Sequence, residues 1–461
     1  MTSETFVYRS RMPASAAQVF AWHLRQGAFL RFVPPWERMR LIADGYPIRE
    51  GSRAEIDISI GPLWRRWTAE HTNFEPRRRF RDVQIRGPFA RWEHTHTIEP
   101  EGAHGAWLED RIEYALPFGP IGQWLASRFV RRKLRATFEY RHRTLADDLC
   151  AHLTAATRAG TGSMRIVVTG SSGLIGSSLV PFLTTGGHSV TRLVRRDRAG
   201  GQAVRWDPVL GTIDHEGIEG HDAIVHLAGE NISSGRWNAR TKKLIRDSRL
   251  EGTRLLCETI NRLQKPPKTL VCASAIGFYA DRGDELLDER FAAGDGFLAD
   301  VCKDWEAITE SVRPRGIRVV NTRFGVVLSP AGGALAKMLT PFNLGVGGVI
   351  GSGRQYLSWI AIDDVIGAIH HALTTEGLNG PVNVVAPNPV TNRDFTKALG
   401  RVLRRPTVMP LPAFAARLAL GEMADELLLA STRVVPKRLE ETGYTFRFPE
   451  LEPALRHVLG R

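Results

Sequence analysis

The 461-residue chain is too long for one hydrophobic core and is expected to fold as two or three domains. Its 43% hydrophobic and 24% charged content is ordinary for a globular protein, and no repeat or low-complexity tract interrupts it. The net charge of +13 is spread over both sides of Ser163, without a basic tail or a helix-turn-helix, zinc or RNA-reading motif, so anionic small molecules rather than nucleic acid are the expected partners.

Cys150, Cys257, Cys272 and Cys302 are spaced like neither a disulfide framework nor a zinc site, and Cys302 reads as a small packed thiol. The start, Met1-Thr-Ser-Glu-Thr, lacks the basic and apolar regions of a signal peptide, and no apolar run reaches ~18 residues. A cytoplasmic, reducing compartment without a membrane span is expected.

Residues 1–155 read as an α+β domain. Thr5–Met12 alternates like a strand, and Ser15 is a plausible N-cap for the helix that carries Ala17-Gln18-Val19-Phe20. Strand-like pieces follow around 39–42, 53–60, 64–74, 80–85, 90–98 and 106–114, punctuated by Gly45, Gly51, Gly61, Gly87 and Gly102. A long closing helix then carries Ile121, Trp124, Leu125, Phe129, Leu134, Phe138, Leu145 and Leu149 at three-to-four spacing. Trp22, Trp36, Trp64, Trp67, Trp92, Trp107 and Trp124 are candidates to line a pocket for a flat or hydrophobic ligand, with core and interface packing as the alternative. His94 and His96 share one strand face but lack a third ligand, so they are expected as exposed polar positions and no metal is expected. This order of elements, with its Ala-Gln-Val-Phe helix, resembles the helix-grip fold of the START-like superfamily of polyketide cyclases and lipid-transfer domains. The resemblance implies ligand carriage rather than catalysis here.

Residues 156–163 are small and polar and read as a linker. Then comes Met164-Arg-Ile-Val-Val-Thr-Gly-Ser-Ser-Gly-Leu-Ile-Gly176, a buried β-branched run, three glycines at a spacing of three, and a helix carrying Leu179, Val180, Phe182 and Leu183. Strand, glycine turn and helix aim backbone N–H groups and a helix dipole at a diphosphate. Gly170, Ser172, Gly173, Leu174, Ile175 and Gly176 are the expected cofactor-binding residues of this turn. The next strand ends in Arg195 and Arg196 instead of an acid, which favours the 2′-phosphate of NADP(H); plain strand-end charges are the alternative. Ala228 and Gly229 end a further strand, Asp222-Ala-Ile-Val-His-Leu-Ala-Gly229, and are expected against a cofactor ribose. Strands at 165–169, 189–194, 223–227, 269–273 and 317–322 alternate with helices, so a doubly wound parallel sheet is expected over 164–330. Residues 331–461 are expected to form a small substrate lobe that returns a strand, Val382-Asn-Val-Val, to the sheet.

The opening Thr-Gly-x-x-Gly-x-x-Gly resembles the extended short-chain dehydrogenase/reductase superfamily. Gly229-Glu-Asn-Ile, Ala273-Ser-Ala-Ile-Gly, Trp305-Glu, Arg323-Phe-Gly-Val-Val-Leu, Ser358-Trp-Ile and Gly421-Glu-Met-Ala-Asp-Glu-Leu-Leu-Leu-Ala narrow it to an atypical epimerase-like subfamily, over about residues 164–460. The resemblance implies a Rossmann-like fold, NADP as cofactor and a Ser at position 274 that hydrogen-bonds the reacting oxygen. It also implies a Tyr-x-x-x-Lys pair on the next helix, and the sequence departs there. Leu298 and Cys302, or Ala299 and Lys303 on sliding by one, stand where Tyr and Lys belong. Ordinary dehydrogenation or sugar epimerisation by that pair is therefore not expected. Ser274 is the candidate orienting hydroxyl and Tyr279 the candidate proton donor. Glu230, Asn231 and Arg249 are expected to border the crevice, and Arg323 to hold phosphate or to form a structural salt bridge. Asp363-Asp364 reads as a helix N-cap pair. Two functions follow: an NADP(H)-dependent oxidoreductase acting on a small or hydrophobic carbonyl compound, or an NADP(H)-binding regulatory protein without turnover.

Overall fold

The computed structural model describes residues 3–160, 162–195, 202–233 and 235–461. The chain forms two compact units, one of residues 1–156 with 181–187, the other mainly of 157–180 and 188–459.

In the first unit β1 (Glu4–Met12), β2 (Met39–Ala43), β3 (Arg53–Ile60), β4 (Leu63–Glu75), β5 (Arg79–Arg86), β6 (Arg91–Glu101) and β7 (Gly105–Ala115) form one antiparallel sheet, ordered β1-β7-β6-β5-β4-β3-β2. Between β1 and β2 lie α1 (Ala16–His23) and α2 (Ala28–Phe32). Ser15 and Gln18 cap α1 reciprocally: each backbone N–H donates to the other's side chain. Alternation along β6 turns Trp92, His94, His96 and Ile98 inward, and along β7 it turns Leu108, Asp110, Ile112 and Tyr114 inward. The inner face is thus apolar at both ends and ionisable in the middle.

The closing helix α3 spans Gly119–Ala159, so the first residues of the expected linker continue it. Leu134, Phe138, Leu145 and Leu149 are buried, each contributing roughly 1.5–3 kcal/mol. The stripe expected from Ile121 onward is corrected at Trp124 and Phe129, which are exposed; the side chains of Ile121 and Leu125 lie outside the description. The seven tryptophans, read as lining a pocket or as core and interface packing, do not gather at one place. Trp22 is in the core, Trp36 packs on Tyr140, Trp64 lies under Arg40, Trp107 lies under Arg9, and Trp67 and Trp92 meet edge to face 5.0 Å apart. They serve different faces of the sheet.

The second unit contains β8 (Arg165–Thr169), the part of α4 (Leu174–Thr185) up to Val180, β9 (Ser189–Val194), β10 (Ala203–Asp207), β11 (Thr212–Ile213), β12 (Ala223–His226), α5 (Ala239–Arg262), β13 (Thr269–Ala275) and α6 (Phe297–Thr309). With strands Arg318–Phe324 and Gly380–Val384 they make an eight-stranded sheet, ordered β11-β10-β9-β8-β12-β13-(318–324)-(380–384). Every neighbouring pair is parallel except β10 with β11. Burial on both faces explains the unbroken apolar runs Ile166–Val168 and Ala223–Val225. Asn238 caps α5 by accepting from Thr241 N at 2.8 Å, and Thr391 caps helix Asn392–Leu403 in the same way.

Asp363 and Asp364 do not cap a helix, which corrects that expectation. They sit inside the first turn of helix Ile362–Thr374, whose N-cap is Ala361. Asp364 accepts from the backbone N–H groups of Arg447 and Phe448 at 2.7 and 3.0 Å, and so ties the C-terminal segment down. No described helix is long and apolar enough to cross a membrane.

In the first unit, Arg31 donates to Asp148 through Nε at 2.7 Å and Nη2 at 2.9 Å, with side-chain exposures of 6% and 0%. Removing the acid leaves a buried guanidinium without its counter-charge. Asp148→Ala should therefore lower the unit's unfolding free energy by about 3–5 kcal/mol. Urea unfolding followed by tryptophan fluorescence reads this, since Trp22, Trp36, Trp64, Trp67, Trp92, Trp107 and Trp124 report on this unit.

Candidate active site in the second unit

The crevice opens at the C-terminal ends of β8, β12, β13 and strand 318–324. Gly170 leaves β8 with φ +64°, and a Cβ there would lie 2.7 Å from the Leu227 carbonyl. A side chain is excluded by both conformation and space. At Gly176 a Cβ would lie 2.3 Å from the Gly170 oxygen, so the start of α4 presses on the turn. Gly173 differs: its nearest neighbour is the Gly170 oxygen, at 3.2 Å. The turn is thus closed at its first and last glycine and open at the middle one. Ser172 is exposed, Leu174 and Ile175 half-buried, and Arg195 exposed where β9 ends. Arg196 lies outside the described residues.

One buried hydrogen-bond chain holds the floor. The Thr169 hydroxyl accepts from Leu227 N and Ala228 N at 3.0 and 3.2 Å and meets His226 Nδ1 at 2.7 Å. His226 Nε2 meets Thr253 Oγ1 at 3.1 Å. Thr253 also accepts from Trp305 Nε1 and donates to the Arg249 carbonyl. Donors and acceptors balance only if Thr169 donates to Nδ1 and a neutral imidazole donates from Nε2. Burial pushes the His226 pKa down to about 4. Gly229 lies beside Arg249, which braces the following loop through the Glu230 carbonyl at 3.1 Å and stacks on Trp305. Asn231 turns back on Ser233.

Ser274, at the end of β13, is 3% exposed and donates to Glu306 Oε1 at 2.7 Å. Glu306 is gripped from the other side by Arg323, Nε to Oε1 and Nη2 to Oε2, both at 2.8 Å. Arg323 Nη1 reaches the Tyr279 hydroxyl at 2.9 Å, and its guanidinium lies 3.5 Å above the Phe278 ring. Of the two roles open to Arg323, the structure shows the internal ion pair, with the residue 3% exposed. Tyr279 is fully buried, its hydroxyl placed between Asn383 Oδ1 at 2.8 Å and the Asp288 carbonyl at 3.1 Å. The expected proton donor is therefore an internal strut, with its pKa raised by burial against the opposing pull of Arg323.

Leu298, where the superfamily carries Tyr, packs on Gly277. Cys302, one turn later, lies beside Ser274, and burial pushes its pKa up to about 11, so it is a thiol and not a nucleophile. A cavity of about 280 Å³ borders Gly277, Leu298, Asp295, Glu426, Leu429 and Thr432. Glu426 accepts from Phe297 N and Leu298 N, both at 3.0 Å, and closes the N-terminus of α6.

The sequence reading missed Glu306, His226 and Thr253. Glu306 follows Cys302 by four residues and therefore shares its helix face, a signal that was available. Nothing in the sequence pairs His226 with Thr253 across 27 positions.

The sheet order and crevice define the doubly wound dinucleotide-binding class. A family model described as NAD dependent epimerase/dehydratase family matches residues 166–386. One described as polyketide cyclase/dehydrase and lipid transport matches 12–139, and a domain of unknown function, DUF1731, matches 411–458. An epimerase family protein of Mycobacterium tuberculosis is 43% identical over 296 residues, 64% of this chain and 98% of that one. The human epimerase family protein SDR39U1, solved as isoform 2 with NADPH, is 37% identical at a TM-score of 0.59, covering 64% of this chain and 99% of its own. A structure described as the nucleoside-diphosphate sugar epimerase of Corynebacterium glutamicum is 34% identical at a TM-score of 0.81, covering 99% of this chain and 90% of that one. The chain belongs to the NAD dependent epimerase/dehydratase family.

Because His226 is neutral when folded, the unfolded state alone takes up its proton between pH 6.5 and about 4. Its contribution is full above pH 6.5 and is lost as pH falls through that window, by roughly 3 kcal/mol in total. Denaturant unfolding across pH should show wild-type stability falling relative to His226→Gln over this range; parallel curves would oppose a buried neutral imidazole.

Proposed function

We propose that the second unit is an NADP(H)-dependent oxidoreductase acting on a small or hydrophobic carbonyl compound. The observation that carries this is the β8–α4 turn: two glycines are packed shut, and the third leaves backbone open to a diphosphate. The human relative solved with NADPH supports the choice of cofactor. Gly170, Ser172, Gly173, Leu174, Ile175 and Gly176 would hold the diphosphate, Ala228 and Gly229 a ribose, and Arg195 the 2′-phosphate. When bound, the cofactor supplies or accepts hydride.

The chain's own part is to hold the reacting oxygen and move a proton. Ser274 Oγ is the hydroxyl at the strand end, and Glu306 is the group it passes a proton to or receives one from. Arg323 fixes Glu306 through two parallel bonds, so the carboxylate keeps its place as charge shifts. This pair stands in for the phenol and lysine that α6 lacks.

Titration of NADPH fluorescence tests the cofactor reading. Gly173→Ala should leave the fold intact and weaken binding roughly tenfold or more, because its Cβ meets only one protein atom but intrudes on the ligand side. Gly176→Val should abolish binding and lower stability. Arg195→Ala should reduce the preference for NADPH over NADH. Wild-type protein that gives no signal with NADPH would end the proposal.

Turnover separates an oxidoreductase from a regulatory binder. In a panel of aldehydes and ketones, NADPH oxidation is expected, with kcat lowered about a hundredfold by Ser274→Ala and by Glu306→Gln. NADPH affinity should be unchanged in both variants. Equal rates in wild type and Ser274→Ala would remove Ser274 from the mechanism.

A further inference from the structure

The interior of the first unit concentrates ionisable side chains that the oxidoreductase reading does not use. His94 and His96 were expected to be exposed, but they are 4% and 7% exposed. The third partner missing from the sequence comes from the neighbouring strand. Asp82 on β5 stands directly opposite His94 on β6, and His96 stands opposite Asp110 on β7. We propose that Asp82, His94 and His96 bind one divalent transition-metal ion, of the zinc or iron(II) class, inside the helix-grip unit.

The geometry sorts these groups into two shells. Asp110 Oδ1 is hydrogen-bonded to His94 Nε2 at 2.8 Å and lies 2.6 Å from His96 Nδ1 as an ion-pair contact without hydrogen-bond geometry, so one carboxylate orients the His94 ring and sits beside the other. The opposite nitrogens, His94 Nδ1 and His96 Nε2, then face Asp82 Oδ2 at 3.7 and 3.3 Å. One ligand atom from each of the three residues lies within 4.8 Å of the others. Ligands bound tetrahedrally at 2.0–2.2 Å sit roughly 3.4 Å apart, so small adjustments bring all three onto one ion. A carboxylate behind a metal-binding imidazole fixes its tautomer and direction. Asp110 is held in turn by His142 Nε2 at 2.5 Å, and His142 Nδ1 by Ser10 at 2.6 Å.

Two further imidazoles pack against this cluster. His71 binds Asp82 Oδ1 through Nδ1, and His23 binds the Val19 carbonyl through Nδ1. The Nε2 atoms of both are buried without a hydrogen-bond partner, and the His23 ring lies 5.6 Å from the His96 ring. The donor set, two imidazoles and one carboxylate, suits borderline ions, whereas magnesium and calcium prefer oxygen. Three protein ligands leave a position for water or a small ligand. Asp82 is the most exposed of the three, at 21% against 5% and 9% for the His94 and His96 side chains.

The test uses untagged full-length protein stripped with a chelator, then titrated with Co²⁺ as a coloured stand-in for Zn²⁺. One Co²⁺ per chain is expected, displaced by Zn²⁺, with X-ray absorption showing imidazole nitrogen and carboxylate oxygen and no sulfur. Asp82→Asn and His94→Gln should abolish stoichiometric binding with the far-UV circular dichroism unchanged. Asp110→Asn should weaken binding by roughly 10–100-fold. If a variant fails to fold, the absorption spectrum of loaded wild type decides alone. Less than a tenth of an ion per wild-type chain, sulfur in the metal's shell, or full binding by a folded Asp82→Asn variant would each overturn the proposal and leave a closed hydrogen-bond network in its place.

Discussion

The second unit depends on a lack of space at one point, where β8 ends against the backbone that leaves β12. A Cβ on Gly170 would overlap the Leu227 carbonyl, so the chain must turn there with left-handed backbone. Thr169 then places its hydroxyl under the next strand's exit, where it takes two backbone N–H groups. That close approach brings the strand ends together and leaves Gly173 facing outward. Leu227, Ala228 and the glycine turn are thereby held against one another.

Buried polarity is handled differently in the two units. In the second, His226 is neutral, and its hydroxyl and indole neighbours satisfy it without charge. In the first, Asp82 and Asp110 are both held well below the usual carboxylate range by their imidazole neighbours, against the opposing effect of burial. A charged interior of this kind is costly unless its geometry is well matched.

The loss of the usual Tyr and Lys on α6 has a structural counterpart. Leu298, Cys302 and Glu306 follow one another on a single face of that helix, and the last of them carries the polar contact to Ser274. Arg323 supplies the balancing charge from the sheet, and Tyr279 braces Arg323 from behind. The ion pair on this face joins a helix to a strand.

Sequence alone determined what depends on neighbours along the chain. The β-branched runs gave the buried parallel strands, the glycine spacing gave the turn, and Ser15 gave its cap, because each is a local matter of backbone conformation and periodicity. The role of Arg323, the burial of Tyr279 and the joining of Asp82 to His94 were decided only by the folded chain. These depend on which strands lie side by side and in what register. His94 and His96 looked solvent-facing because alternation shows that two residues share a face but not which face turns inward, nor what the next strand brings opposite them.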